Sequence, residues 1–210
     1  MEEELLRIFD RNRNAIGTAP RHEVHKLGHW HETFHCWFIS REEEVDYIYL
    51  QIRSDSKKDY PGLLDITAAG HLLANETVQD GVREVKEELG IGVSFEELVS
   101  LGIIDYSVTT GELIDRELAN VYVYNCTLGF DDFAIQTEEV SGVVRAKFKP
   151  FSELWLGELE EIQIEGFEIN KAGKRVSFNK IVTKNNFVLH EQSYYEAIIR
   201  GIDKIIRASY

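Results

Sequence analysis

Three glutamates crowd one short stretch of this chain. Glu84 and Glu88 stand four residues apart, and Glu87 lies three after Glu84, in the string Arg83-Glu84-Val85-Lys86-Glu87-Glu88-Leu89-Gly90-Ile91. On a helix, side chains three and four apart are neighbours. Carboxylates held that close repel one another unless a cation sits between them. Hard divalent cations such as Mg²⁺ are held by one or more carboxylates together with the phosphate oxygens of a substrate. The stretch therefore reads as a platform for a divalent metal and a phosphorylated molecule. Arg83 and Lys86 flank the acids and can pair with them. The plainer reading of such a run is a solvated acidic helix face.

The element that must position these acids is an amphipathic helix. Val78, Val82, Val85 and Leu89 recur at three- and four-residue spacing and line one apolar stripe. Thr77 with Asp80 three residues on has the form of a capping box, with Asp in place of Glu. The spacing predicts a helix that starts at Thr77 or Val78 and stops at Gly90 in a left-handed cap.

Residues 70–91, GHLLANETVQDGVREVKEELGI, resemble the signature of the Nudix hydrolase superfamily. That pattern runs Gly, five residues, Glu, seven residues, Arg-Glu, an apolar residue, any residue, Glu-Glu, any residue, Gly, apolar. Gly70, Glu76 and every fixed position of residues 83–91 match, but only six residues separate Glu76 from Arg83. The resemblance implies an α/β fold, a Nudix-type α/β/α sandwich with a mixed sheet between helices. It implies that Glu84, Glu87, Glu88 and the Gly70 carbonyl hold Mg²⁺ or Mn²⁺, and that Glu84, Glu87 and Arg83 serve catalysis. Arg83 is read as bracing a helix glutamate by a bidentate pair. A residue lost inside a helix would swing Glu76 by about 100° off the metal face. The missing residue is therefore placed in the polar loop ahead of the helix, which leaves Glu76 a structural role at the helix mouth.

A second resemblance is to isopentenyl-diphosphate isomerase and the Nudix hydrolases nearest to it. It rests on residues 16–21, IGTAPR, through His25, Gly28, His31 and the Trp37 strand, and it covers roughly residues 5–155. The isomerase needs a cysteine just before its Gly-His pair, as an acid/base on the carbon skeleton. Here that position is Ala69, and an alanine cannot move a proton. Hydrolysis of a diphosphate bond is accordingly ranked above isomerisation, and a non-catalytic Nudix-fold binding module below both, because all three helix glutamates remain. The isomerase also builds a second metal site from histidines and acids. His71, His25, His31, Asp115 and Glu117 fall near those positions; the alternative is that these side chains are ordinary surface or core groups. Glu117, Glu138 and Glu139 stand beside the helix glutamates as candidate general bases. Trp30, Trp37 and Tyr106 are candidates to stack on a substrate, with burial in the core as the default for each.

The formal net charge of −14 over 210 residues argues against nucleic acid as a partner. It is compatible with a small phosphorylated substrate carried on metal ions. A homodimer is an open alternative. No apolar run reaches membrane-spanning length, and the start lacks a secretory signal, so a cytoplasmic location is expected. Cys36 and Cys126 lie in apolar runs without metal-like spacing and read as buried thiols.

With 43% hydrophobic residues, the chain can bury the core of a single domain, 1–210. An N-terminal arm takes in about residues 1–34 and a hairpin-helix extension about 156–210. In order, the pattern predicts a short N-terminal helix, a polar turn over residues 10–14, and strands over 35–39 and 45–53. The signature helix follows, then strands over 101–108 and 118–127 joined by a turn at 109–112. A strand over 140–148, a short helix from Pro150, a hairpin around 171–174 and an amphipathic helix over 190–209 complete the chain.

Overall fold

β3 (Trp30–Glu42) organises the structure, a computed structural model that describes residues 4–111 and 113–208. Successive side chains of a strand point to opposite faces. Phe34, Cys36 and Phe38 of β3 enter one apolar cluster, while Trp37 and Ile39 enter the other. Ahead of it run β1 (Leu5–Phe9), β2 (Ala15–Pro20) and α1 (Arg21–Leu27). After it come β4 (Val45–Arg53), β5 (Leu64–Ile66), β6 (Ala68–His71) and α2 (Arg83–Leu89). The remainder is β7 (Leu98–Thr110), β8 (Leu113–Asn125), β9 (Val140–Lys147), α3 (Phe148–Leu156), β10 (Glu161–Ile169), β11 (Arg175–Thr183) and α4 (Gln192–Ala208).

All eleven strands share one sheet of order β11-β10-β9-β4-β3-β1-β2, with β5 on β4, β6 and β8 on β3, and β7 on β8. The β3–β8 ladder is parallel and the others are antiparallel, so the sheet is mixed. Val85 and Leu89 of α2 pack on one face, with Phe34, Phe38 and Tyr49. Phe151, Leu154 and Trp155 of α3 and Tyr194, Ile198 and Ile202 of α4 pack on the other, with Trp37 and Leu50. The result is an α/β/α sandwich. Among the described residues no helix is long and apolar enough to cross a membrane.

Several elements differ from the sequence reading. The expected N-terminal helix is, over its described part, strand β1. Leu6 is buried while Leu5 is 46% exposed, an alternation that pairing with β2 and β3 stabilises. The turn at 10–14 is present, and Asp10 Oδ1 accepts from the Asn12 and Asn14 amides at 2.8 and 2.9 Å. α1, which the pattern did not predict, ends at Gly28 with φ 67°. β8 begins at Leu113 rather than residue 118, which puts Asp115 and Glu117 on a strand. The signature helix is α-helical only from Arg83, and a 3₁₀ turn, Asp80–Val82, precedes it. A 3₁₀ turn rises about 2.0 Å per residue against about 1.5 Å in an α-helix, so three residues there span what four would. That turn lies within the stretch between Glu76 and Arg83 that is one residue shorter than the family spacing. Gly81 allows the turn to sit against the sheet, since a Cβ there would meet Phe34 at 2.7 Å. Of the expected elements, Met1 to Glu3 of the first helix, Glu112 of the turn and Ser209 of the last helix lie outside the described residues.

Candidate active site

α2 and β6 together hold the helix carboxylates. Glu88 is buried, and its Oε2 accepts from Gln51 Nε2 at 3.1 Å and from the Ala69 amide at 3.0 Å. Burial, and after it the nearby Glu84, pushes the Glu88 carboxyl up to about 8. Burial likewise pushes Glu84 up to about 7, against the pull of Arg83 and with the push of Glu87. Glu84 lies hard against the backbone of β6, where a Cβ on Gly70 would come within 2.1 Å of Glu84 Oε1. Only glycine leaves that space. Two acids, one buried and one half-buried, whose carboxyls are both pushed up are a site that a divalent cation would relieve.

Arg83 ties the site together. Its Nε and Nη2 donate to Glu76 Oε1 and Oε2 at 2.6 and 3.0 Å. Its Nη1 donates to Glu84 Oε1 at 2.6 Å and Glu87 Oε2 at 3.0 Å, and Nη2 also donates to the His71 carbonyl at 3.1 Å. Glu76 also accepts from the Leu73 amide at 2.8 Å, and Arg83 holds its carboxyl below the usual range. Glu87 is the most exposed of the set, at 53% for its side chain.

A second cluster forms where α1, β3, β6 and β8 meet. The rings of His25, His31 and His71 form a near-equilateral triangle with centroids 5.1, 5.2 and 5.2 Å apart. Parallel register pairs His31 with Glu117 on β8. Asp115 Oδ1 lies 3.6 Å from both His25 Nε2 and His31 Nε2. These three atoms are buried and, among the described residues, have no hydrogen-bond partner. Buried polar atoms without partners are costly, and three converging on one point mark a place for a cation. His31 Nδ1 is 3.1 Å from the His29 carbonyl. A carbonyl only accepts, so Nδ1 carries the proton and Nε2 presents its lone pair to the cluster. Burial lowers all three histidines, His25 to about 4 and His71 well below its ordinary value, which keeps them in the neutral form that metals bind. Asp115 is pushed up by burial and by Glu117, whereas Glu117, against the push of its own burial, is held well below its ordinary value by His35 and by the nearby His31 and His71.

Both clusters open into one cleft of about 640 Å³. Ten carboxylates and four Arg or Lys side chains line it, so it suits an anion only with cations in between. Of the residues singled out from sequence, Gly70, His71, Glu76, Arg83, Glu84, Glu87, Glu88, Glu117 and Glu139 all line this cleft, as do Tyr106 and Asp115. Glu139 pairs there with Lys57. Glu138 is exposed and Trp30 is half-buried, and neither lines the cleft; Trp37 is core. Sequence reasoning missed Arg53, Asp65 and His190. Asp65 accepts from Arg53 Nη1 at 2.8 Å and lies 3.3 Å from His190 Nε2, joining β4, β5 and the segment before α4. The one signal for His190 was a histidine at the head of an amphipathic helix, which carries no spacing rule.

No protein-family model matches the chain. It is 38% identical over 202 residues to an uncharacterised Nudix hydrolase of Clostridium acetobutylicum, a match that takes in 96% of this chain and 98% of that protein. It is 32% identical over 149 residues to an isopentenyl-diphosphate Delta-isomerase of Corynebacterium diphtheriae, spanning 67% of this chain and 77% of that protein. The fold is similar to that of a MutT/nudix family protein from Enterococcus faecalis, with a TM-score of 0.51 and 13% identity over 84% of this chain and 62% of that one.

Proposed function

The chain belongs to the Nudix hydrolase family, and from this we propose that it cleaves the phosphoanhydride bond of a small diphosphate substrate, a nucleoside diphosphate or a related molecule. The observation that carries the reading is the pair of acids at the cleft, half-buried Glu84 against the Gly70 backbone and buried Glu88 on the Ala69 amide. Glu84, Glu87, Glu88 and the Gly70 carbonyl offer oxygen donors of the kind that hold Mg²⁺ or Mn²⁺. His25, His31, His71, Asp115 and Glu117 form a nitrogen-rich set that suits Mn²⁺ or another transition metal better than Mg²⁺. Such cations supply charge neutralisation for the diphosphate and Lewis acidity toward the reacting phosphorus.

The chain's own residues do the rest. Arg83 fixes Glu84 and Glu87 on one side and Glu76 on the other, so the acids keep one arrangement as substrate arrives. Gln51 and the Ala69 amide orient Glu88. Lys57, paired with Glu139, and Arg53, held by Asp65 and the Asp59 carbonyl, also line the cleft as cations an incoming phosphate can meet. Glu139 and Glu117, which line the cleft, are the candidates to accept a proton from the attacking water. Isomerisation is disfavoured because Ala69 lines the cleft where a proton-transfer group would be needed. A screen of nucleoside di- and triphosphates, dinucleotides, nucleotide sugars and isoprenoid diphosphates, each with Mg²⁺ and with Mn²⁺, tests the proposal. Release of phosphate or a monophosphate product from at least one class is expected, and no divalent-dependent cleavage of any would refute it.

A further inference from the structure

Glu117 is held by a hydrogen-bonded chain that begins outside the cleft, on α4. Thr33 Oγ1 donates to Glu117 Oε2 at 2.7 Å, and His35 Nε2 lies 3.0 Å from the same oxygen and 3.2 Å from Thr33 Oγ1. On the other side of the ring, His35 Nδ1 is 2.8 Å from the Tyr194 hydroxyl, 159 residues away in sequence. Trp37 Nε1 is 3.2 Å from that hydroxyl. All of these side chains are buried. Thr33, His35 and Trp37 share one face of β3 because they are two residues apart, so a single strand face presents the whole chain of donors to Glu117 and Tyr194.

Elementary chemistry fixes the direction of each bond. An indole N–H only donates, so Trp37 donates to the Tyr194 oxygen. The Tyr194 hydroxyl has one proton, and His35 Nδ1 is the acceptor in reach. A buried hydroxyl whose proton finds no acceptor is penalised, so Tyr194 donates to Nδ1. A ring nitrogen that accepts carries no proton, which leaves the imidazole proton on Nε2, where it faces both Glu117 Oε2 and Thr33 Oγ1, whose own proton is given to Glu117. The ionised carboxylate accepts and closes the chain. Trp37, Tyr194, His35 and Glu117 thus form a one-way series in which every donor has an acceptor.

We propose that His35 and Tyr194 are positioning residues for Glu117, through which the C-terminal helix sets the orientation of this carboxylate at the histidine centre. The proposal rests on the reading of Glu117 as part of the site. Thr33 and His35 both engage Oε2, so rotation of the carboxylate breaks two hydrogen bonds at once, and the second oxygen is claimed by neither donor. Tyr106, opposite Glu117 in the β7–β8 ladder, reaches the same carboxylate from the next strand. Tyr106 touches the rings of His35 and Tyr194 at centroid distances of 6.3 and 5.4 Å, but the polar link between Tyr194 and His35 is the Nδ1–hydroxyl bond. Beyond the segment Val188 to His190, which lines the cleft, the extension therefore acts on its chemistry through a helix residue that does not line it.

Two measurements on the full chain test this. Nitrogen-15 NMR of the imidazole rings should show His35 as the neutral Nε2–H tautomer, with its Nδ1 resonance moved in Tyr194→Phe toward that of a nitrogen without a hydrogen bond. An Nδ1–H tautomer, or no response to Tyr194→Phe, overturns the proposal, and the tautomer readout needs no variant. The second measurement is Mn²⁺ binding by electron paramagnetic resonance in a Glu88→Gln background, so that the histidine centre is titrated. His35→Phe should weaken Mn²⁺ binding there about 10- to 100-fold, the range found when an outer hydrogen bond to a ligand is removed. His35→Gln, whose amide can still donate to Glu117, should recover most of that loss. Unchanged affinity in His35→Phe, or equal losses in the two variants, overturns the proposal. Neither readout uses turnover. A protein that cleaves no diphosphate yet shows the tautomer and the Mn²⁺ losses fails the proposed function alone. One that cleaves a diphosphate but loses no Mn²⁺ affinity fails this inference alone.

Discussion

Glu88→Gln should stabilise the metal-free protein and at the same time disable it. The Glu88 carboxyl is raised from its ordinary value of 4.5 to about 8, chiefly by burial. A raised carboxyl contributes stability in full below its unfolded value and loses it as pH rises through the folded value. At about pH 7.5 the unfolded chain gains from ionising this group while the folded chain does not. Each pH unit above 4.5 is worth about 1.4 kcal/mol, which gives a ceiling of about 4 kcal/mol. The effective interior dielectric lowers that figure, so about 2–4 kcal/mol is expected, or roughly 5–15 °C in Tm for a chain of this size. A glutamine carbonyl can take the bonds from Gln51 and the Ala69 amide, and its neutral head ends the repulsion with Glu84. The assay is thermal melting in chelator across about pH 4.5–8. The variant's advantage should be near zero at the acid end and grow toward the alkaline end. Added Mn²⁺ should close or reverse the gap, since a ligand at a thousandfold its Kd adds about 4 kcal/mol to the form that binds it. Turnover should fall at least about a hundredfold, because metal placement supplies several kcal/mol to such reactions. A variant that is less stable than wild type in chelator at about pH 7.5, or a difference that does not change with pH, would refute the reasoning.

Other variants separate roles within the cleft. Glu76→Gln removes one side of the Arg83 brace and should cost about 1–2 kcal/mol in denaturant unfolding, with a far smaller loss of activity than Glu88→Gln. Equal activity losses in the two variants would place Glu76 at the metal. Gly70→Ala would drive a Cβ to 2.1 Å from Glu84 Oε1; turnover should fall more than about tenfold with the melting temperature less affected, and wild-type rates would contradict the packing. With Ala69 in place of an acid/base, no dimethylallyl diphosphate should form from isopentenyl diphosphate above a no-enzyme control. Its detection by chromatography would reverse the ranking of hydrolase over isomerase.

The parts of the structure that sequence made visible are those specified locally. Glu84, Glu87 and Glu88 are close because a helix puts them so, and α4 shows in the recurrence of Tyr194, Ile198 and Ile202. β1 was misread because its short apolar run suits a helix as well as a strand, and pairing with β2 and β3 decides between them. The helix start was misplaced because the apolar stripe from Val78 continues through a 3₁₀ turn, which a side-chain pattern does not distinguish from an α-turn. His25, His31 and His71 were candidates from a family likeness, but their meeting depends on α1, β3 and β6 converging, and α1 was not foreseen. His35 to Tyr194 and Asp65 to His190 join residues 159 and 125 positions apart, and no local spacing encodes such pairs. They follow from the layer order of the sandwich, which brings the head of α4 over the site face of β3 and β5.

The central claim is that the helix carboxylates make this chain a divalent-dependent phosphoanhydride hydrolase. The most direct test compares initial hydrolysis rates of wild type and Glu84→Gln on the best substrate of the screen. Each is assayed after chelation with EDTA and again after Mg²⁺ or Mn²⁺ is restored. The account predicts no turnover in EDTA, full recovery in wild type, and a rate at least about a hundredfold lower in Glu84→Gln at any cation concentration. Hydrolysis that persists in EDTA, or a Glu84→Gln enzyme that matches wild type once the cation returns, would contradict it.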